Sequence, residues 1–170
     1  MTDIWQHPYV DIFRTFAISD WINSRRIGEI TEYLDSSIAR KVLILKGTIP
    51  ANNYIQLPKP SASLKSLNLT GRYLYILLKP FPDLNFVLHF DYQIPVGTTL
   101  RISLSNLYKE TKREPFQIHE PLKISSEKWS CVVIDSHTLL QNNDYIKQGQ
   151  KIILKSMTLF SNITIFKIAT

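Results

Sequence analysis

The chain has 170 residues, 44% of them hydrophobic, and a formal net charge of +6. This length fits one domain that can bury about 70% of the surface exposed by the unfolded chain. No apolar run approaches the ~18 residues of a membrane span, and the N-terminus lacks the features of a signal peptide. Its single cysteine, Cys131, excludes an internal disulfide framework. These features predict a soluble cytoplasmic protein without a membrane partner.

Basic residues are spread along the chain rather than gathered in a tail. Residues 1–60 hold seven Lys and Arg against six Asp and Glu, residues 61–115 hold seven against four, and residues 116–170 hold six against four. A spread of this kind argues against a linear nucleic-acid-binding tract. The positive balance nevertheless favours an acidic partner surface. The densest basic cluster is residues 109–113.

In chain order, the first predicted element is a helix over residues 11–23, with Ser19 and Asp20 as candidate caps. Seven strands follow, indicated by alternating or continuous apolar residues between proline-rich turns. They cover residues 42–45, 73–78, 86–92, 99–104, 129–134, 151–159 and 162–168. A helical turn over residues 136–140, capped by Asp135 or Ser136, lies between the fifth and sixth strands.

Details of this pattern predict how the strands are arranged. The last two strands flank Ser161 and Asn162, which predicts a hairpin. Alternation in the fourth strand directs Arg101 and Ser103 outward. Seven or eight strands with such spacing predict an all-β fold, a two-sheet β-sandwich of jelly-roll type with one or two short helices. We expect residues 1–170 to form this single domain.

Side chains with catalytic or metal-binding chemistry occur singly. The four histidines lack metal-motif spacing, and the five glycines are too scattered for a phosphate-binding loop. His89 and Asp91 share a strand face and form the best available pair, with a solvent-facing polar strip as the alternative. Cys131 and Trp129 lie two residues apart and are expected in the core. The sequence therefore predicts no catalytic residue, no metal site and no cofactor.

Five short sequence strings are more informative about the protein's family than the apolar periodicity of the same residues. They are WQHPY at residues 5–9 (followed by IFR at 12–14), NYIQLPK at 53–59, LTGRYLY at 69–75, RISLSNLYKE at 101–110 and WSC at 129–131. In this order and with these gaps, they resemble the N-terminal domain of the centriolar WD-repeat protein family of ciliated eukaryotes. That domain is related to the cilia- and flagella-associated protein of the doublet inner junction.

The resemblance implies a function that composition alone does not. It implies a β-sandwich without enzymatic activity, and WD-repeat propellers after this domain in a longer protein. It also implies binding to tubulin in the microtubule wall, near the junction between tubules. The location would be the cytoplasm and cytoskeleton, at the centriole, basal body or cilium, with other centriolar scaffold proteins as further partners.

The binding face must be sought among the basic side chains, since attraction to acidic tubulin favours a net-basic domain. The candidates are a first group of Arg101, Lys109, Lys112 and Arg113, and a second group of Arg25, Arg26 and Lys59. Lys112 and Arg113 lie just beyond the family string. A solvated loop is the alternative for residues 109–113. For Arg101, the alternative is an exposed strand position that hinders sheet pairing.

Two other functions remain open on the sequence alone. A scaffold adaptor would bind another junction protein through an exposed apolar patch larger than a few hundred Å². A carbohydrate-binding module would use coplanar exposed aromatic side chains, although aromatic residues of sandwiches usually lie in the core. Burial of Trp5, Trp21 and Trp129 would exclude the carbohydrate function.

Overall fold

Two β-sheets pack face to face in the computed structural model, which describes residues 9–170. The strands are β1 (Arg25–Ile27), β2 (Ile30–Asp35), β3 (Arg40–Leu45), β4 (Tyr54–Leu57), β5 (Tyr73–Pro80), β6 (Val87–Gln93), β7 (Thr99–Ser105), β8 (Lys112–Glu114), β9 (Gln117–Pro121), β10 (Ser130–Asp135), β11 (Ile153–Phe160) and β12 (Ile163–Ala169). The helices are α1 (Ile12–Thr15) and α2 (Ser136–Asn142), with 3-10 turns at Ile18–Asp20 and Pro50–Asn52. Among the described residues, no helix is long and apolar enough to cross a membrane.

The seven-stranded sheet has the order β1-β4-β11-β6-β7-β9-β8, and the five-stranded sheet has the order β10-β5-β12-β3-β2. Neighbouring strands are antiparallel, except that β7 and β9 run parallel. This arrangement confirms the predicted all-β sandwich with short helices. The prediction of seven or eight strands was wrong, because residues 9–170 form twelve. The five strands that were not predicted are β1, β2, β4, β8 and β9. Of these, β1 and β8 have only three residues each and present charged side chains instead of an apolar alternation.

The core lies between the two sheets and is built from alternate residues of each strand. In β6, for example, Leu88, Phe90 and Tyr92 are buried, and β5 contributes Leu74 and Ile76 from the opposite sheet. The hydroxyl of Tyr92 hydrogen-bonds at 2.8 Å to that of Ser136, at the start of α2. This bond satisfies both hydroxyls inside the core.

The predicted hairpin of the last two strands was wrong. β11 pairs with β4 and β6 in the seven-stranded sheet, whereas β12 pairs with β3 and β5 in the five-stranded sheet. Ser161 and Asn162 therefore carry the chain from one sheet to the other. The Asn162 side chain accepts a bond from the Gly47 amide and donates one to the Asn85 carbonyl. A short connection thus joins strands that do not pair.

The first helix is shorter than predicted. α1 ends at Thr15, because Ala17 takes a left-handed conformation with φ of +46° that a helix cannot continue through. Its N-cap is Asp11, whose carboxylate accepts a bond from the Arg14 amide, and not Ser19 or Asp20. The predicted cap of α2 is confirmed at Asp135, which accepts a bond from the Thr138 amide.

Core positions for Cys131 and Trp129 were also predicted wrongly. Cys131 is exposed, and Trp129 is only half-buried. The physical reason is that β10 is an edge strand, so its outward side chains have β5 on one side and solvent on the other. The Trp129 indole donates a 3.2 Å bond to Asp35, and the Lys79 ammonium lies 5.5 Å from the indole ring centroid.

Asp135 holds the end of β10 to β5 and caps α2. Arg72 donates three bonds to its carboxylate, the shortest at 2.6 Å, and this interaction lowers the pKa of Asp135 to about 2. Replacing Asp135 by Ala should therefore lower the free energy of unfolding by about 1–2 kcal/mol, measured by urea denaturation at neutral pH.

The dependence of the unfolding free energy on pH gives a second readout for the same variant. Because the folded pKa of Asp135 is depressed, its stabilisation is present above the unfolded pKa of 3.8 and is lost as the pH falls toward 2. The difference between Asp135→Ala and wild type should shrink over that range. Glu127→Ala, at an exposed position in the preceding loop, is the control. Equal effects of the two substitutions would contradict this role for Asp135.

Candidate functional site

The two predicted groups of basic residues lie mainly at opposite edges of the seven-stranded sheet. β1, with Arg25 and Arg26, forms one edge, and β8, with Lys112 and Arg113, forms the other. Six strand spacings separate these edges, or roughly 29 Å. The seven candidates therefore do not form one cluster, and the two edges differ in how far their charges are neutralised.

At the β1 edge, the second group gathers around Trp21. The Arg26 guanidinium lies 5.4 Å from the centroid of the Trp21 ring. The Lys59 ammonium donates a 3.1 Å hydrogen bond to the Trp21 carbonyl, and the Lys59 backbone amide donates a 2.6 Å hydrogen bond to the Asn23 carbonyl. Arg25 and Arg26 are exposed, and neither forms a salt bridge with any residue in 9–170. This edge keeps its positive charge.

At the β8 edge, most of the charge is already paired. Lys112 lies 2.9 Å from the Glu114 carboxylate, and this contact lowers the pKa of Glu114. Arg113 lies 3.6 Å from Asp144, and its guanidinium is 4.9 Å from the Tyr145 ring centroid. The exposed Lys109, in the loop before β8, forms no salt bridge within the described residues. The β8 edge is thus a weaker anion site than the β1 edge.

Arg101 differs from the other candidates, because it lies inside the sheet. Its guanidinium forms a two-point salt bridge with Asp91 on β6, at 2.7 and 3.0 Å. Asp91 also accepts a 3.1 Å bond from Ser156 on β11. The alternative role of Arg101 in hindering sheet pairing was wrong, because β7 lies between β6 and β9 and has no free edge.

Polar side chains connect the two basic edges across the outer face of this sheet. The strand registers align one residue from every strand in a single row. The row is Arg25, Gln56, Thr158, His89, Ser103, His119 and Lys112. Ser103 points outward as predicted but is buried, because the Tyr108 hydroxyl bonds to it at 2.8 Å. The row is not visible in the sequence, because it depends on pairing between distant segments.

His89 and Asp91 share the outer face, as predicted, but the Asp91 carboxylate is bonded to Arg101 and Ser156 and not to His89. The His89 ring packs edge-on against Phe160 with centroids 5.2 Å apart. A shallow cavity of about 190 Å³ touches Asp91 and Arg101 but not His89. Within residues 9–170, no group of three or more His, Cys, Asp or Glu side chains could hold a metal ion. The geometry is that of a polar surface strip.

The tryptophans do not form a common platform. Trp5 lies outside the described residues. Trp21 is half-buried under Arg26 beside β1, whereas Trp129 is half-buried near Lys79 beside β10. These two rings therefore lie beside different sheets. A carbohydrate site that uses both on one face is incompatible with this placement.

His89 should make stability depend on pH. Burial, followed by the charge of Arg101, lowers the pKa of His89 from 6.5 to about 4. Between these values the unfolded chain binds a proton that the folded chain does not, so the stabilisation present above pH 6.5 is lost as the pH falls. His89 should account for about 3 kcal/mol of this loss. His89→Gln and His89→Phe should both flatten the dependence in urea titrations. If the unfolding free energies of both variants depended on pH as steeply as that of wild type, His89 would not be the group responsible.

Comparison with known proteins places the chain in a family. The family profile described as the CFA20 domain matches residues 1–169. WD repeat-containing protein 90 of Xenopus tropicalis is 34% identical over 194 aligned positions, which cover 100% of this chain and 10% of that protein. Centriole proteome protein 16 of Chlamydomonas reinhardtii is 34% identical over 139 positions, which cover 81% of this chain and 7% of that protein. The chain spans a tenth or less of these relatives.

Among solved structures, a CBM22 xylan-binding domain from Paenibacillus barcinonensis covers 85% of both chains, with a TM-score of 0.33 and 13% identity. This likeness is too weak to support an argument about fold or function. The family match, in contrast, extends over nearly all of the sequence and agrees with the five strings recognised in it. The chain belongs to the CFA20 domain family.

Proposed function

We propose that this chain is a non-catalytic microtubule-binding module of a centriolar or ciliary protein. It would contact tubulin near the junction between tubules, mainly through the β1 edge of the seven-stranded sheet. The observation that carries the proposal is the exposed, unneutralised pair Arg25 and Arg26, next to Lys59, in a chain of this family. One relative is named as a centriole proteome protein, which supports the proposed location at the centriole and cytoskeleton.

The electrostatics favour an acidic polymer over a small ligand. The β1 edge offers two exposed cations on a short strand, which suits a broad acidic surface such as that of tubulin. Arg26 is held over the Trp21 ring, so part of its conformational entropy is already lost before binding. Lys109, Lys112 and Arg113 form a second, weaker contact, because Lys112 and Arg113 must first leave their carboxylate partners.

Co-sedimentation with stabilised microtubules across a salt series tests this proposal. Wild type should pellet at low salt and be released as salt rises, because screening weakens charge attraction. Arg25→Glu with Arg26→Glu should weaken binding by about tenfold or more. Lys112→Glu with Arg113→Glu should have a smaller effect. A folded chain that remains in the supernatant at low salt would refute microtubule binding.

A matched control distinguishes binding through the β1 edge from a general attraction between the positive net charge and acidic microtubules. Arg40→Glu with Lys41→Glu changes two exposed cations on β3, in the other sheet. Each replacement changes the charge by two units, so both this double variant and the β1 double variant lower the net charge from +6 to +2. The β3 variant should bind nearly as well as wild type. Equal weakening by both variants would contradict a face at β1.

A scaffold adaptor is the second candidate function, and one observation favours it. The outer face of the five-stranded sheet exposes apolar and aromatic side chains, including Tyr33, Tyr73 and Val133. They lie on the opposite side of the sandwich from the outer face of the seven-stranded sheet. If the chain does not bind microtubules at low salt, this apolar face becomes the better candidate contact, with another centriolar scaffold protein as the partner.

A further inference from the structure

The two sheets of the sandwich have four edge strands, and three of them carry features that discourage pairing with another chain. β1 and β8 have three residues each, and each contains two cations. β2 has six residues, but Glu32 sits two positions after the buried Ile30, on the strand face that turns toward the sandwich. A charge on an inward face prevents a new strand from packing there.

The fourth edge strand, β10, lacks these features. Its six residues, Ser130–Asp135, include no lysine, arginine, proline or glycine. It pairs with β5 in unbroken register, from Ser130 opposite Leu78 to Asp135 opposite Tyr73, without a bulge. No described strand pairs with its other side. An edge of this length and composition is a template for an added strand.

The four central residues of β10, Cys131–Ile134, are apolar on both faces, which determines what kind of strand could be added. On the outward face, Cys131 is exposed and Val133 is 51% exposed. On the inward face, Val132 and Ile134 are only partly buried and pack against the core at its margin. A strand that covers this edge must therefore be apolar on both faces. β10 itself has this composition.

The charges around β10 are balanced, so they also allow a second copy of the chain to bind at this edge. Two chains of charge +6 repel each other, and the repulsion is strongest where cations are unpaired, as at β1. Around β10 the charges are paired or balanced. Arg72 bonds to Asp135 at 2.6 Å, Lys79 lies 3.6 Å from Asp35, and Glu127 adjoins Lys128. Like charges therefore oppose self-association less at this edge than at β1.

We propose that two copies of this chain pair antiparallel through β10, about a two-fold axis at Val132. In this register Cys131 of one copy lies opposite Val133 of the other, and Ser130 lies opposite Ile134. Moving the axis to Val133 would place Asp135 opposite Cys131, and moving it to Cys131 would place Lys128 opposite Ile134. Of these three axes, only the one at Val132 sets no charged residue opposite Cys131 or Ile134, because Asp135 then lies opposite Trp129.

The pairing would join the two five-stranded sheets into one continuous sheet, an isologous contact. Because β10 belongs to the five-stranded sheet, both basic edges of each seven-stranded sheet would stay free. Two linked copies would therefore double the basic surface, which increases avidity for any repeated acidic surface. A strand pair of six residues is a small contact, so the dimer should form in a concentration-dependent way.

Sedimentation velocity over about 1 to 200 µM chain tests the proposal. The mass should rise from the 19.7 kDa of one chain toward twice that value. Val133→Lys, at a half-exposed position, should raise the half-dimerisation concentration by roughly tenfold or more, because the contact is symmetric and each copy adds a charge opposite Cys131. Leu34→Lys adds the same charge to an exposed position of β2, the other edge of the sheet, and should change nothing.

Cys131 provides an independent readout, because it is the chain's single cysteine. In the proposed register the two Cys131 residues are diagonal neighbours, with Cα atoms about 7–8 Å apart. A short bismaleimide should therefore cross-link wild type and Leu34→Lys but not Val133→Lys. Far-UV circular dichroism should show the same fold for all three proteins. A chain that stays monomeric over the whole range, or dimers that Val133→Lys leaves intact, would overturn the proposal.

Discussion

The direct step from β11 to β12 determines how the rest of the structure is arranged. The two strands are separated by only Ser161 and Asn162, yet each lies inside a different sheet. Their inward residues, such as Met157 and Ile165, therefore belong to opposite sides of one core. Burial of these two faces against each other is the main source of stability. It also fixes which faces and edges of the sandwich remain available for partners.

Once the core is closed, the two sheets present different surfaces. The seven-stranded sheet has a polar outer face, held by the Arg101–Asp91 salt bridge, and short basic edges. The five-stranded sheet has an apolar outer face, with Tyr73 and Val133 exposed, and the edge β10, whose one charged residue, Asp135, is paired with Arg72. Two kinds of contact are thus separated in space, so an acidic polymer and an apolar strand need not compete for one site.

The sequence predicted the fold class well, because apolar alternation is a local property. β6 and β7 were placed within one residue of their observed bounds. The errors involve sheet membership: the β11–β12 pair was expected to be a hairpin, and Cys131 was expected in the core. Neither property is local, because each depends on which distant strand lies alongside. The candidate cations were identified by residue type, but their salt bridges to Asp91, Glu114 and Asp144 were not predicted.

The sequence by itself determined the all-β class and, through its five strings, the family. It also determined the net charge of +6 that favours an acidic partner. Only the tertiary structure decided which cations are unneutralised, which side chains form the row across the seven-stranded sheet, and which edge is open. The physical reason is that charge pairing and edge exposure arise between residues far apart in the chain. Arg101 and Arg25 look alike in sequence, and only their neighbours in space distinguish them.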